Sequence, residues 1–177
     1  MQPKYFRAFA IIAVILALDI VTKAWALRTL SPGWTVEGLG GLVPITLTFN
    51  TGVAFGISVG EMRWVIVAAT FIVMGALVTL FRQAIESDTL RICSIATVFA
   101  GAMGNLIDRL RWERGVVDFI GPFNLGFAHF PIFNIADMAI TTGASLLAIS
   151  LWIEDRALKA GKVAPADADA ETLTQRR

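Results

Sequence analysis

The sequence predicts an all-α membrane protein: four transmembrane helices, with the chain turning at the membrane surface between the third and the fourth. Two observations carry this. Only 16% of residues are charged and 56% are hydrophobic, with a mean hydropathy of +0.68. A soluble domain carries roughly 25% charged residues. Apolar windows almost free of charge also recur four times, and a helix needs about 20 mainly apolar residues to cross a bilayer. The 177 residues suffice for one domain.

The first span covers about 5–26. It is apolar from Ala8 to Leu18, is interrupted by Asp19, and resumes to Leu27. With Lys4, Arg7 and "AWA" at 24–26 it imitates a cleavable signal peptide. Asp19 and Lys23 argue against that, because they stand between the apolar run and the supposed cleavage site. They are spaced i, i+4, so they face each other on a helix that is kept. A long loop, 27–61, leads to the second span, about 62–81, in which Trp64 to Phe81 carries no charge. A short loop, 82–91, precedes the third span, about 92–110. The loop 111–131 holds Gly121, Pro122, Gly126 and Pro131, which argue against a continuous helix. The fourth span, about 132–153, is expected to begin near Pro131, a good first-turn residue. The polar tail 154–177 lacks apolar periodicity and reads as disordered, leaving 1–153 as the membrane domain.

Four spans put both ends of the chain on one side. That side holds nine of the Lys and Arg residues and the other holds six, which favours cytoplasmic termini. Trp25, Trp34, Trp64 and Trp112 then fall at the outer boundary and Trp152 at the inner one, as an aromatic belt. A net charge of +1, with no basic run or stacking motif, excludes a nucleic-acid partner. The single cysteine, Cys93, reads as an apolar filler, and His129 as a surface or packing residue. No metal-ligand cluster is present, so no metal and no organic cofactor is expected.

The polar residues of the spans gather at one depth. Asp19 and Lys23 come late in the first span, Asn105, Asp108 and Arg109 late in the third, and Asn134 and Asp137 early in the fourth. Asn50 and Asp118 belong to the outer loops. Charges are costly in hydrocarbon, so such residues face a protein interior or a cavity and are functional candidates. As one helix, Asp118 and Asp137 would stand roughly 28 Å apart. A hairpin through 121–131 instead brings them together at the outer face. Two adjacent carboxylates cannot both ionise, so one keeps a proton near neutral pH. Such a pair can polarise a carbonyl with its acid and deprotonate a water with its base.

At these residues the chain resembles the bacterial lipoprotein signal peptidases (signal peptidase II), which are intramembrane aspartic peptidases. The resemblance rests on "LDIVTK" (18–23), "FNTGVAFGI" (49–57), "GAMGNLIDRL" (101–110), "GVVDFI" (115–120) and "FNIADMAI" (133–140). It covers about 5–153. It implies that Asp118 and Asp137 are the catalytic dyad. It also implies that Asn50, Asn105, Arg109 and Asn134 line the substrate site, while Asp19, Lys23 and Asp108 are mainly structural. It further implies a small extracytoplasmic β-cradle at about 33–60, where "VPITLTFN" is rich in β-branched residues. The implied substrate is a diacylglyceryl-modified prolipoprotein, cut just before its lipidated cysteine. Membrane lipids surround the site, cyclic peptide antibiotics of the globomycin type are implied inhibitors, and the implied location is the bacterial inner membrane.

Two other classes compete. A small proton-coupled transporter would place acids along a path through the bilayer, often with broken helices. A non-catalytic scaffold would not need two acids converging after a Gly/Pro turn. One of the outer segments, 49–57 or 111–131, is expected to close over the cavity as a lid.

Overall fold

The computed structural model describes residues 2–52, 59–124 and 126–161. Its four long helices are α1 (Pro3–Thr29), α2 (Val59–Gln83), α3 (Thr89–Arg111) and α4 (Ile135–Lys159), and each is long and apolar enough to cross a membrane. Local chemistry sets their ends. Pro3 opens α1, where a missing N–H costs no helical bond. Asp88 caps α3, its carboxylate accepting from the Arg91 N–H at 3.0 Å. α4 outlasts the expected 153 by six residues. Its last turns carry an Asp155–Lys159 ion pair at i, i+4, and Arg156 and Lys159 favour the negative end of the helix dipole. Residues 162–177 of the expected tail lie outside the described residues.

The helices run up, down, up, down. Lys4 near the start of α1 donates to the Ala84 carbonyl just past α2 at 3.1 Å, and Arg91 early in α3 pairs with Glu154 late in α4 at 3.0 Å. At the opposite end the Arg63 guanidinium of α2 donates to the Arg109 carbonyl of α3 at 2.6 Å. Trp25, Trp64 and Trp112 belong to this second end and Trp152 to the first. α3 is the central helix: 61% of its membrane window is buried, against 17–22% for the others, whose apolar faces are left for lipid.

Small residues allow the tight seam between α3 and α4, where the hydrophobic effect gives no help. A side chain at Gly101 would run into the Ala136 carbonyl, and one at Gly143 would come within 2.8 Å of Val98. At Gly104 it would meet the Asp19 carboxylate of α1. One face of α3 thus brings α1 and α4 into backbone range.

A three-stranded antiparallel sheet sits on the second end of the bundle. β1 (Thr35–Gly38) pairs with β2 (Val43–Asn50), with Thr35 opposite Thr46. β2 pairs with β3 (Val116–Ile120), with Asn50 opposite Val116 and Thr48 opposite Asp118. Val117, Phe119 and Leu47 form a core with Ala26 of α1. Gly115 leads into β3 with φ +92°, and a side chain there would strike the Asn50 carbonyl. β4 (Phe123–Asn124) and β5 (His129–Phe130) make a short hairpin beyond it.

Two expectations for 111–131 are corrected here. The segment was read as a loop, yet it supplies the third strand of the cradle. All of 116–119 is buried, so the run lacks the polar–apolar alternation that marks a strand. Pro131 is also not in the first turn of α4. The backbone of Phe133 is paired with β3, donating to the Ile120 carbonyl at 3.0 Å and accepting from the Ile120 N–H at 2.9 Å. The helix starts only after that bridge, at Asn134. Of the two segments expected to form a lid, 49–57 falls largely on 53–58, outside the described residues.

Candidate active site

Asn134 organises the site. It is fully buried and caps α4: its side-chain oxygen accepts from the Asp137 N–H at 2.8 Å, and Asp137 Oδ2 accepts from the Asn134 N–H at 3.2 Å. This reciprocal box satisfies two N–H groups that a helix start leaves open. The Asn134 amide nitrogen points the other way. It donates to Asp118 Oδ1 at 2.6 Å and lies 3.1 Å from Asn105 Oδ1 and 3.3 Å from the Val117 carbonyl. Asn105 in turn donates to Asp137 Oδ1 at 2.7 Å. Two neutral amides therefore tie Asp118, on a strand, to Asp137, on a helix. The sequence places these two acids 19 positions apart, and the β3–β5 turn brings them to one place.

The two acids differ in surroundings. Asp118 is 1% exposed, whereas Asp137 is half-buried and borders two cavities. One, of about 470 Å³, is lined by Asn50, Phe130, Pro131, Phe133 and Thr141 besides Asp137. The other, of about 440 Å³, runs between α2 and α4 past Ile66, Thr70, Asn105, Arg109 and Ile140. Burial pushes the Asp118 carboxyl up to about 7, and the charge of Asp137 adds to the rise. Hydrogen bonds from Asn50 and Asn134 and the charge of Lys23 oppose it.

Behind the dyad lies a buried ionic cluster. Lys23 Nζ pairs with the carboxylates of Asp19 at 2.8 Å and Asp108 at 2.9 Å and donates to Asn105 Oδ1 at 3.2 Å. Each acid reaches onward. Asp19 Oδ1 accepts from the Ala136 N–H in the first turn of α4 at 3.0 Å, and Asp108 Oδ2 accepts from the Val117 N–H of β3 at 3.2 Å. The cluster thus holds the backbone next to each member of the dyad.

Every candidate from the sequence falls in this region. Asn50 sits exposed on the cavity rim, its side-chain oxygen accepting from the Gly52 N–H at 2.9 Å. Arg109 borders the second cavity, and its Nε is buried without a hydrogen-bond partner among the described residues. Asn105 and Asn134 have their amides committed to the dyad. His129 is exposed and lines neither cavity, and Cys93 is a partly buried residue of α3. Of the 119–133 phenylalanines, Phe130 and Phe133 line the first cavity, whereas Phe119 is in the core behind the sheet. Sequence reasoning missed Arg63, which caps the carbonyls of Arg109 and Leu110 and so steadies the end of α3. Its only signal was a basic residue just before an uncharged window.

A family model described as signal peptidase (SPase) II matches residues 11–153. The lipoprotein signal peptidase of Oleidesulfovibrio alaskensis is 34% identical, over 86% of this chain and 98% of that one. That of Maridesulfovibrio salexigens is 38% identical, over 84% and 97%. A bacterial membrane enzyme solved by the in meso method at 2.3 Å resolution superposes with a TM-score of 0.75 at 34% identity, covering 89% of this chain and 94% of the other. The match takes in nearly all of the four helices, the cradle and both acids, and the chain belongs to the signal peptidase II family.

Proposed function

We propose that this protein is an aspartic endopeptidase that removes the signal peptide of diacylglyceryl-modified prolipoproteins, cutting just before the lipidated cysteine. The observation that carries the reading is the pair Asp118 and Asp137, bridged by Asn105 and Asn134, with the Asp118 carboxyl raised to about 7. Such a pair holds one proton near neutral pH and titrates as a unit. The protonated carboxyl hydrogen-bonds the scissile carbonyl oxygen. The ionised carboxylate takes a proton from water, whose oxygen adds to the carbonyl carbon. The tetrahedral species then collapses as the dyad returns a proton to the leaving nitrogen and the C–N bond breaks.

The substrate peptide has to open its backbone at membrane depth, where unsatisfied polar groups are costly. Asn50 on the rim and Arg109 on the second cavity are positioned to supply donors to it, while Asn105 and Asn134 hold the dyad. The acids Asp19, Asp108, Asp118 and Asp137 gather at one end of the bundle, which suits a bond cleaved near an interface better than a proton path through the bilayer. The sided charge favours cytoplasmic termini with the dyad near the outer face, and the likeness to bacterial lipoprotein signal peptidases favours the bacterial inner membrane. A cyclic peptide of the globomycin type, with a hydroxyl between the carboxyls, would bind as a mimic of the tetrahedral state.

The test is cleavage of a diacylated lipobox peptide by the purified protein. Asp118→Asn and Asp137→Asn should each abolish turnover while the protein stays folded, because an amide keeps the shape but cannot exchange the proton. Turnover near the parent rate in either variant would exclude this dyad.

A further inference from the structure

At the end of the bundle away from the dyad, α1, α2 and α3 leave a groove of about 230 Å³, walled by Tyr5, Phe9, Ile12, Val78, Phe81 and Phe99. Its walls are open to the surrounding membrane, since Tyr5, Phe9 and Val78 are exposed. At its mouth stands Lys4. Only 9% of this residue is exposed, and its ammonium is held by the Ala84 carbonyl at 3.1 Å, the Arg82 carbonyl at 3.5 Å, and the rings of Tyr5 and Phe81. Among the described residues no carboxylate pairs with it. Asp88 is occupied as the α3 cap, neither Asp88 nor Glu86 reaches Lys4, and Arg7 is held by Thr89 and the Glu86 carbonyl. Arg82, whose carbonyl Lys4 contacts, is exposed in the last turn of α2. A nearly buried cation without a counter-charge is thus paired with an apolar slot at membrane depth.

We propose that this groove binds one anionic phospholipid from the leaflet on the side of the termini, an acyl chain lying in the slot and the headgroup phosphate on Lys4 and Arg82. The bilayer decides the occupant, because a groove facing hydrocarbon is filled by an acyl chain. Burying that chain gains little over leaving it among other lipids, which are equally apolar. The groove therefore supplies position, and the two cations supply the preference for a negative headgroup. Basic pockets between transmembrane helices act in this way on anionic lipids. The carbonyls of Arg82 and Ala84 hold the ammonium in place for the phosphate, as an unattached lysine would not be.

The test is native mass spectrometry of the full chain released from detergent, with phosphatidylglycerol and phosphatidylcholine of identical chains added in equal amounts. One phosphatidylglycerol should be retained, favoured by about fivefold per cation. Lys4→Gln with Arg82→Gln should erase the preference, while Lys4→Arg keeps it. Val78→Trp, which fills the slot and leaves both charges, should reduce retention of either lipid. Cleavage of lipidated peptide by each variant confirms that it is folded. Equal retention of the two lipids by the parent, a preference unchanged in the double glutamine variant, or retention unaffected by Val78→Trp would each overturn the proposal.

Discussion

The raised carboxyl of Asp118 makes the pH profile of cleavage a direct reading of the site. With its value at about 7, half of the molecules carry the dyad proton at neutral pH. At pH 8.5 the fraction is about 3%, so kcat/KM should drop roughly fifteenfold from its value at pH 7. Asn50→Ala should move that limb. The Asn50 side chain hydrogen-bonds the ionised form and so holds the value down, and removing the bond lets it rise. A hydrogen bond to a charged group contributes about 1.5–3 kcal/mol, and one pKa unit corresponds to about 1.4 kcal/mol. Asn50 is exposed on the rim, where water replaces part of the loss, so the expected shift is about one unit upward. At pH 8.5 the variant should then keep about a quarter of its own plateau rate, where the parent keeps about 3%. The assay is the initial rate on diacylated lipobox peptide in micelles, well below KM, from pH 5 to 9. A profile flat to pH 9, or a limb that moves to lower pH in Asn50→Ala, would refute the assignment of the shared proton to this pair.

Asp118→Asn should be more heat-stable than the parent above pH 7 though inactive. A carboxyl raised from 3.8 to about 7 by folding takes up a proton in the native state, so stability falls as pH climbs through that window, by up to about 4 kcal/mol. Equal melting temperatures at pH 8 would contradict this. Lys23→Met strands two buried carboxylates and should lose about 3–5 kcal/mol, most of it recovered when Asp19→Asn and Asp108→Asn are added; an unchanged melting temperature in the single variant would sink the cluster's role. Gly101→Val should cost about 1–3 kcal/mol and impair turnover by pushing the first turn of α4 away, whereas Gly75→Ala, with open space around it, should leave turnover alone. Reporters fused beyond α4 should report cytoplasm and those within 33–45 the outer compartment; a C-terminal reporter active only outside would break the proposed orientation.

The helices were legible because lipid imposes its own pattern: an uncharged window such as Trp64 to Phe81 has no other stable use. The polar site was legible as a depth, since Asp19, Asn105 and Asp137 recur at corresponding ends of their spans. What stayed hidden was long-range pairing. Nothing local in "VVDFI" says that it will meet "VPITLTFN" some 70 positions earlier, and burial on both faces removed the alternation that marks a strand. The contact of Asp19 with the Ala136 N–H spans 117 positions and has no sequence signal at all. The start of α4 was readable and was misread. Asn134 and Asp137, three apart before an apolar run, spell a capping box, a stronger marker of a helix start than Pro131.

The bridging groups are amides, and that choice has an electrical consequence. A lysine or arginine between Asp118 and Asp137 would bind them as firmly, but its charge would favour two ionised carboxylates and strip the pair of its acid. An asparagine conveys alignment without conveying charge. Asn105 shows it most plainly: its oxygen faces the Lys23 ammonium and its nitrogen faces Asp137, so the cation braces the site from one bond further off. The site is wired mechanically to a positive centre and held one carboxamide away from it, so that the Lys23 charge is the weakest of the influences acting on Asp118.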